Sequence, residues 1–80
     1  GLLSDHAVLQ RNQPIVVTGT AIGDEPVTVV IAGHSAHSRA ARDGRFRVTL
    51  PPLPAGGPYD VLVMAPSGTT SLHDVLIGDV

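Results

Sequence analysis

From Arg45 to Leu50 the chain alternates polar and apolar side chains without a break. Phe46, Val48 and Leu50 fall on one side, and Arg45, Arg47 and Thr49 on the other. Successive side chains of a strand point to opposite faces, so the pattern describes a β-strand with one face buried and one solvated. A helix of the same sequence would scatter its three apolar groups around the axis. Val27, Val29 and Ile31 repeat the alternation, as do Tyr59, Val61 and Val63. β-Branched residues, which suit a pleated, half-buried surface, dominate these stretches.

Turn signals separate the alternating runs at short intervals. Gly23-Asp24-Glu25-Pro26 is a loop into a strand, and Ser67-Gly68 is a second turn. Asp43-Gly44 is a hairpin signal, predicting a two-residue type I′ turn with positive φ at both positions. Pro51-Pro52-Leu53-Pro54-Ala55-Gly56-Gly57-Pro58 is too proline-rich for regular structure and reads as a longer connection. Pro14 opens a strand, where a missing N–H is tolerated. The predicted strands are 7–10, 14–20, 26–33, 35–41, 45–50, 58–65 and 69–77, the second being a continuation of the first after a kink at Asn12-Gln13. The fourth is the weakest, because residues 34–41 hold no large apolar anchor. No stretch has helical periodicity with caps. Seven short strands with frequent turns predict an all-β fold, an antiparallel β-sandwich of the Ig-like or jelly-roll-like kind.

With 80 residues the chain is one domain at most. Apolar residues make up 42% and charged residues 15%, enough core material and too little charge for a disordered chain. The absence of Cys excludes disulfides, thiolate metal sites and a Cys nucleophile, without fixing the compartment. Four of the five cations, Arg39, Arg42, Arg45 and Arg47, sit close together in sequence. With a net charge of −2 and two aromatic residues, they read as solvated strand faces rather than a nucleic-acid site. No apolar run approaches the length of a membrane-spanning helix.

The residues with catalytic chemistry do not form a site. Ser4-Asp5-His6 contains the residue types of a hydrolase triad. Neighbours on an extended chain point to opposite faces, though, and a triad needs groups converging from separate segments. The three read as a polar lead-in that caps a turn. His34 and His37 are three apart, a spacing that places them on opposite strand faces, so with His6 and His73 elsewhere no metal site is expected. Asp24, Glu25, Asp43, Asp60, Asp74 and Asp79 fall at turns or strand ends without calcium-loop spacing. Phe46 and Tyr59 occupy inward positions, as core residues rather than a sugar-stacking platform. No catalytic residue, cofactor or metal is therefore expected.

Four segments in register carry a resemblance. Ser4-Asp5-His6-Ala7-Val8-Leu9-Gln10-Arg11 resembles the S-D-H-M-V-L-Q-R opening of the sialate O-acetylesterase family. Asp43-Gly44-Arg45-Phe46, leading through Val48 to Leu50-Pro51, resembles its D-G-x-W-x-V-x-L-P. Ala55-Gly56-Gly57-Pro58-Tyr59 is similar to its A-G-G-P-Y, and residues 74–80 to its D-V-L-x-G-D-V. Ala7 stands where the family usually has Met, Thr18 precedes Gly19 where Trp-Gly is common, and Phe46 replaces Trp. The resemblance implies an N-terminal β-sandwich preceding an SGNH-type hydrolase domain. The family's nucleophile motif, W-x-x-S-G-Q-S-N, follows the last matching segment, so none of its catalytic residues falls within residues 1–80.

The expected role is therefore a non-catalytic accessory domain of a carbohydrate O-acetylesterase. Its partner would be the Ser-hydrolase domain of the same longer chain, with no nucleic acid and no membrane. The alternatives are an independent carbohydrate-binding module and an Ig-like protein-interaction module. The apolar side chains of Leu72, Val75, Leu76, Ile77 and Val80 further predict that residues 69–80 present an open edge, through which two copies of the isolated chain would pair.

Overall fold

The computed structural model describes residues 6–80. Seven strands follow one another: β1 (Val8–Gln10), β2 (Ile15–Thr20), β3 (Pro26–Ile31), β4 (His34–Arg39), β5 (Arg45–Leu50), β6 (Gly56–Ala65) and β7 (Gly68–Gly78). Five form one sheet in the order β1-β7-β6-β3-β4, and β2 and β5 pair in a second. The inward residues of both sheets make one core. Ile15, Val17, Phe46, Val48 and Leu50 come from the small sheet; Val27, Val29, Ile31, Val61, Val75 and Ile77 come from the large one. Leu53, in the proline-rich connection, is buried as a plug and its carbonyl accepts a hydrogen bond from the Asn12 N–H.

The sandwich is not purely antiparallel. β1 runs parallel to β7, with Val8 opposite Leu76 and Gln10 opposite Gly78. β1 and β2 are therefore not one kinked strand: the chain crosses from the large sheet to the small one between them. The same pairing corrects the expectation of an open edge at residues 76–78; residues 69–72 pair with β6 on one side, and β1 does not reach them on the other. Residues 76–78 are flanked by β1 and the stretch around them by β6, while Val75 and Ile77 point into the core. A partner sixty-eight positions away leaves no trace in a local pattern.

Three boundaries differ from expectation for identifiable reasons. The β3–β4 hairpin turns at Ala32 and Gly33, both with positive φ (51° and 77°), cutting short the strand predicted through residue 33. A left-handed Ala is uncommon because its Cβ crowds the backbone. Asp43-Gly44 closes no hairpin, since β4 and β5 lie in different sheets, and it is not a two-residue type I′ turn, for of the two only Gly44 has positive φ (92°). The Gly44 N–H bonds the Ala41 carbonyl at 2.8 Å, closing a turn one residue earlier, and Asp43 Oδ1 accepts the Arg45 N–H at 3.0 Å. β6 begins at Gly56, inside the expected connection, since Gly57 and Pro58 sit at a register irregularity where a missing N–H breaks no ladder bond.

Candidate functional site

β2 pairs with β5 along one edge, and among the described residues no strand pairs with its other edge. Across that open side lie β6 and β7. Between them is a cleft made of adjoining hollows of about 240 and 170 Å³. Thr18, Gly19 and Thr20 form one lip, Thr70 and Leu72 the other, and Phe46 and Val63 the floor. Phe46 reaches this position because residue 19 is glycine: a Cβ there would stand 2.7 Å from Phe46 Cζ. The ring is 8% exposed, so it closes the core from below rather than standing out as a stacking platform. Tyr59, the other aromatic, is half-buried and packs against the core.

No titratable side chain lines either hollow. His6 Nδ1 meets Asp74 Oδ2 at 2.7 Å, and both residues have positive φ (64° and 59°). His73 Nδ1 meets Asp60 Oδ1 at 3.1 Å, where β7 carries two residues against one on β6. That bulge turns His73 and Asp74 out of the regular alternation. Ser4 and Asp5 lie outside the described residues, so the Ser4-Asp5-His6 reading is tested only at His6, whose imidazole faces the Asp74 carboxylate. His37 Nδ1 contacts Thr28 Oγ1 at 3.0 Å across the β3–β4 pair, and His34 begins β4, exposed. Among the described residues no three His, Asp or Glu side chains converge as a metal site, and no polar or charged residue is buried.

Glu25 is the most tightly held carboxylate. Its oxygens accept the Ser67 hydroxyl (2.7 Å), the Ser67 N–H (3.0 Å) and the Ile22 N–H (2.7 Å). The Ser67 hydroxyl contributes most to holding the carboxyl below the usual glutamate value of 4.5. Partial desolvation opposes it, and the Ile22 and Ser67 amides add to it. This clasp ties the β2–β3 loop to the β6–β7 turn. Three donors from two separate segments hold it, which makes it a brace between them. No sequence pattern marked it, because Glu25 and Ser67 are 42 positions apart.

The arginines are dispersed. Arg45 and Arg47 project from the outer face of the small sheet, Arg39 ends β4 and Arg42 lies in the turn after it. Arg11 pairs with Asp79 at 3.0 Å. No described helix is long and apolar enough to cross a membrane.

No protein-family model matches the sequence, and no curated protein matches it. Among solved structures, the fold superposes on a carbohydrate acetylesterase from Xanthomonas citri with a TM-score of 0.93, at 41% sequence identity over 98% of this chain. The chain is related to a carbohydrate esterase. It spans 18% of that esterase's length, so the likeness concerns one segment of a much longer protein.

Proposed function

We propose that this chain is a non-catalytic accessory domain of a carbohydrate O-acetylesterase, supporting a Ser-hydrolase domain of the same longer chain. The observation that carries the reading is the match just described: nearly all of this chain corresponds to less than a fifth of an acetylesterase. The chemistry of the described residues agrees. Acyl transfer requires a nucleophile, a base and oxyanion donors meeting at one point, with perturbed ionisation in a desolvated pocket. Here the two His–Asp pairs lie on the sheet surface, with side-chain exposures between 53% and 76%, and the one clearly shifted carboxylate is consumed as a brace. The sialate O-acetylesterase resemblance narrows the reading to removal of acetyl esters from sialic acid or related sugars by an SGNH-type domain. The binding-module alternative has no aromatic platform among the described residues, since Phe46 and Tyr59 both pack inward.

The test is to express the complete product of the reading frame that encodes this chain, with and without the sandwich. Acetyl release from acetylated sugars is expected from the complete product. Removal of the sandwich is expected to lower its melting temperature and its activity together. A complete product that is inactive on acetylated sugars overturns the esterase reading. One whose activity and melting are indifferent to the deletion overturns the supporting role.

A further inference from the structure

Among the described residues the small sheet ends in an unguarded backbone edge. The Ala21 N–H donates to the Gly44 carbonyl at 2.8 Å, continuing the register in which Thr20 lies opposite Arg45. Bonded and non-bonded pairs alternate along an antiparallel ladder. Val17 and Gly19 therefore bond β5, while the N–H and carbonyl groups of Val16, Thr18 and Thr20 point to the open side, where no described strand meets them. The Arg45 carbonyl, which faces away from β2 to accept the Ala41 N–H, fits the same phase. Natural sheets blunt such edges with very short strands, charge, proline or a bulge. Of the outermost strands of the two sheets, β1 has three residues, β4 ends in Arg39 and β5 carries Arg45 and Arg47. β2 has six residues, no charge, no proline and an unbroken register, and Val16 is 40% exposed. Beside that edge the core is incompletely covered. Val63, Thr70 and Leu72 share the inward side of the large sheet with buried Val61, yet they line the cleft instead of packing under a strand.

We propose that β2 accepts an extended segment from the remainder of a longer esterase chain as a third strand of the small sheet, bonded to the backbone of Val16, Thr18 and Thr20 and covering Val63, Thr70 and Leu72 with its inward side chains. In strand addition the main-chain bonds supply affinity, and hollows for alternate side chains supply selectivity. No titratable side chain lines the cleft, so a charge pointing inward would be desolvated without a partner; the segment carries apolar or hydroxyl groups there. A second copy does not fit. A twofold β2–β2 pair sets two sandwiches edge to edge, and β6 and β7, which stand across the open side, would run into their counterparts. A tethered occupant also answers the lack of edge protection. An unguarded edge on a free domain pairs indiscriminately, whereas a covalently linked segment covers it at every protein concentration. The inference rests on the accessory-domain reading above, in which this chain is one segment of a much longer protein.

Amide hydrogen exchange in the complete product of the reading frame reads the edge directly, because Val17, bonded to β5, is an internal reference for Thr18. The Val16, Thr18 and Thr20 amides are expected to exchange within about tenfold of the Val17 rate. A Thr18 amide that exchanges faster than that overturns the proposal. Thr18→Pro removes the central edge N–H and no bond to β5. It is expected to speed exchange at Val16 and Thr20 at least about tenfold while Val17 stays protected. Unchanged rates at Val16 and Thr20 show that the cover is not a strand, and overturn the proposal. If the variant does not fold, the parent's comparison of Thr18 with Val17 decides alone. In the 80-residue chain the same three edge amides are expected to be open. Protection there that grows with concentration makes a second copy the occupant and overturns the proposal. Acetyl release by the complete product separates the two readings. An inactive product with Thr18 protected refutes the esterase reading and keeps the added strand. An active one with Thr18 open keeps the esterase and refutes the strand.

Discussion

Phe46 fills the side-chain space that Gly19, its partner across the β2–β5 pair, leaves empty: a Cβ on Gly19 would approach the ring to 2.7 Å at Cζ and 3.0 Å at Cε2. The aromatic floor of the cleft therefore depends on a residue with no side chain. Gly19→Ala forces the ring toward the adjoining hollow of about 170 Å³. Overpacking of this kind costs about 1–3 kcal/mol, and the free space beside the ring places the expected loss near the lower end. In a Phe46→Leu background the same change should cost less, giving a coupling of at least about 0.5 kcal/mol in a denaturant double-mutant cycle. Strict additivity would show that the ring does not occupy that space.

Gly33 and Gly44 share a left-handed backbone, with φ of 77° and 92°, but not the same surroundings. A Cβ at Gly33 meets nothing within 4 Å, whereas at Gly44 it runs into the carbonyl oxygen of Ala21. Gly33→Ala is expected to cost about 1–2 kcal/mol, the backbone term alone. Gly44→Ala adds a steric clash with a backbone that cannot yield, for a total of about 2–4 kcal/mol. Urea midpoints read the difference directly, and equal losses would contradict the close approach of β5 to the end of β2.

The Glu25 clasp makes part of the stability dependent on pH. Its folded carboxyl ionises below the ordinary value of 4.5, chiefly because the Ser67 hydroxyl favours the charged form. A depressed acid contributes stability that is present above the unfolded value and is lost as pH falls through the folded one. The melting temperature should thus hold steady from neutral pH down to about 5 and decline below about 4.5. Glu25→Gln should melt lower than the parent at neutral pH, and the gap should close on acidification. Parallel curves for the two proteins would show that the Ser67 and Ile22 contacts confer no preference for the carboxylate.

Local pattern revealed most of the fold because one covered face per sheet writes the period-2 alternation into β3, β5 and β6. Strand β5, Arg45–Leu50, was legible to the residue. What pattern could not show was long-range pairing. The parallel alignment of Val8 with Leu76 and the Glu25–Ser67 clasp join residues with no sequence relationship. The Ala32-Gly33 turn was hidden because Ala carries no signal for positive φ. The cleft was illegible for another reason: it arises from the missing second partner of β2, and an edge strand reads like a paired one. The resemblance to an esterase rested on Asp43–Pro51, Ala55–Tyr59 and two terminal segments; the fold assigns the first to a turn and strand β5, the second to the start of β6, and residues 8–10 and 76–78 of the others to the β1–β7 pair.

The central claim is that this sandwich belongs to an acetylesterase without being its catalyst. The direct measurement is acetate release from O-acetylated sugars by the purified 80-residue chain, side by side with the complete product of its reading frame. The account predicts that the sandwich alone releases acetate at the buffer rate and that the complete product shows saturable turnover. Saturable turnover by the sandwich alone, abolished by His73→Ala or Asp60→Ala, would contradict it.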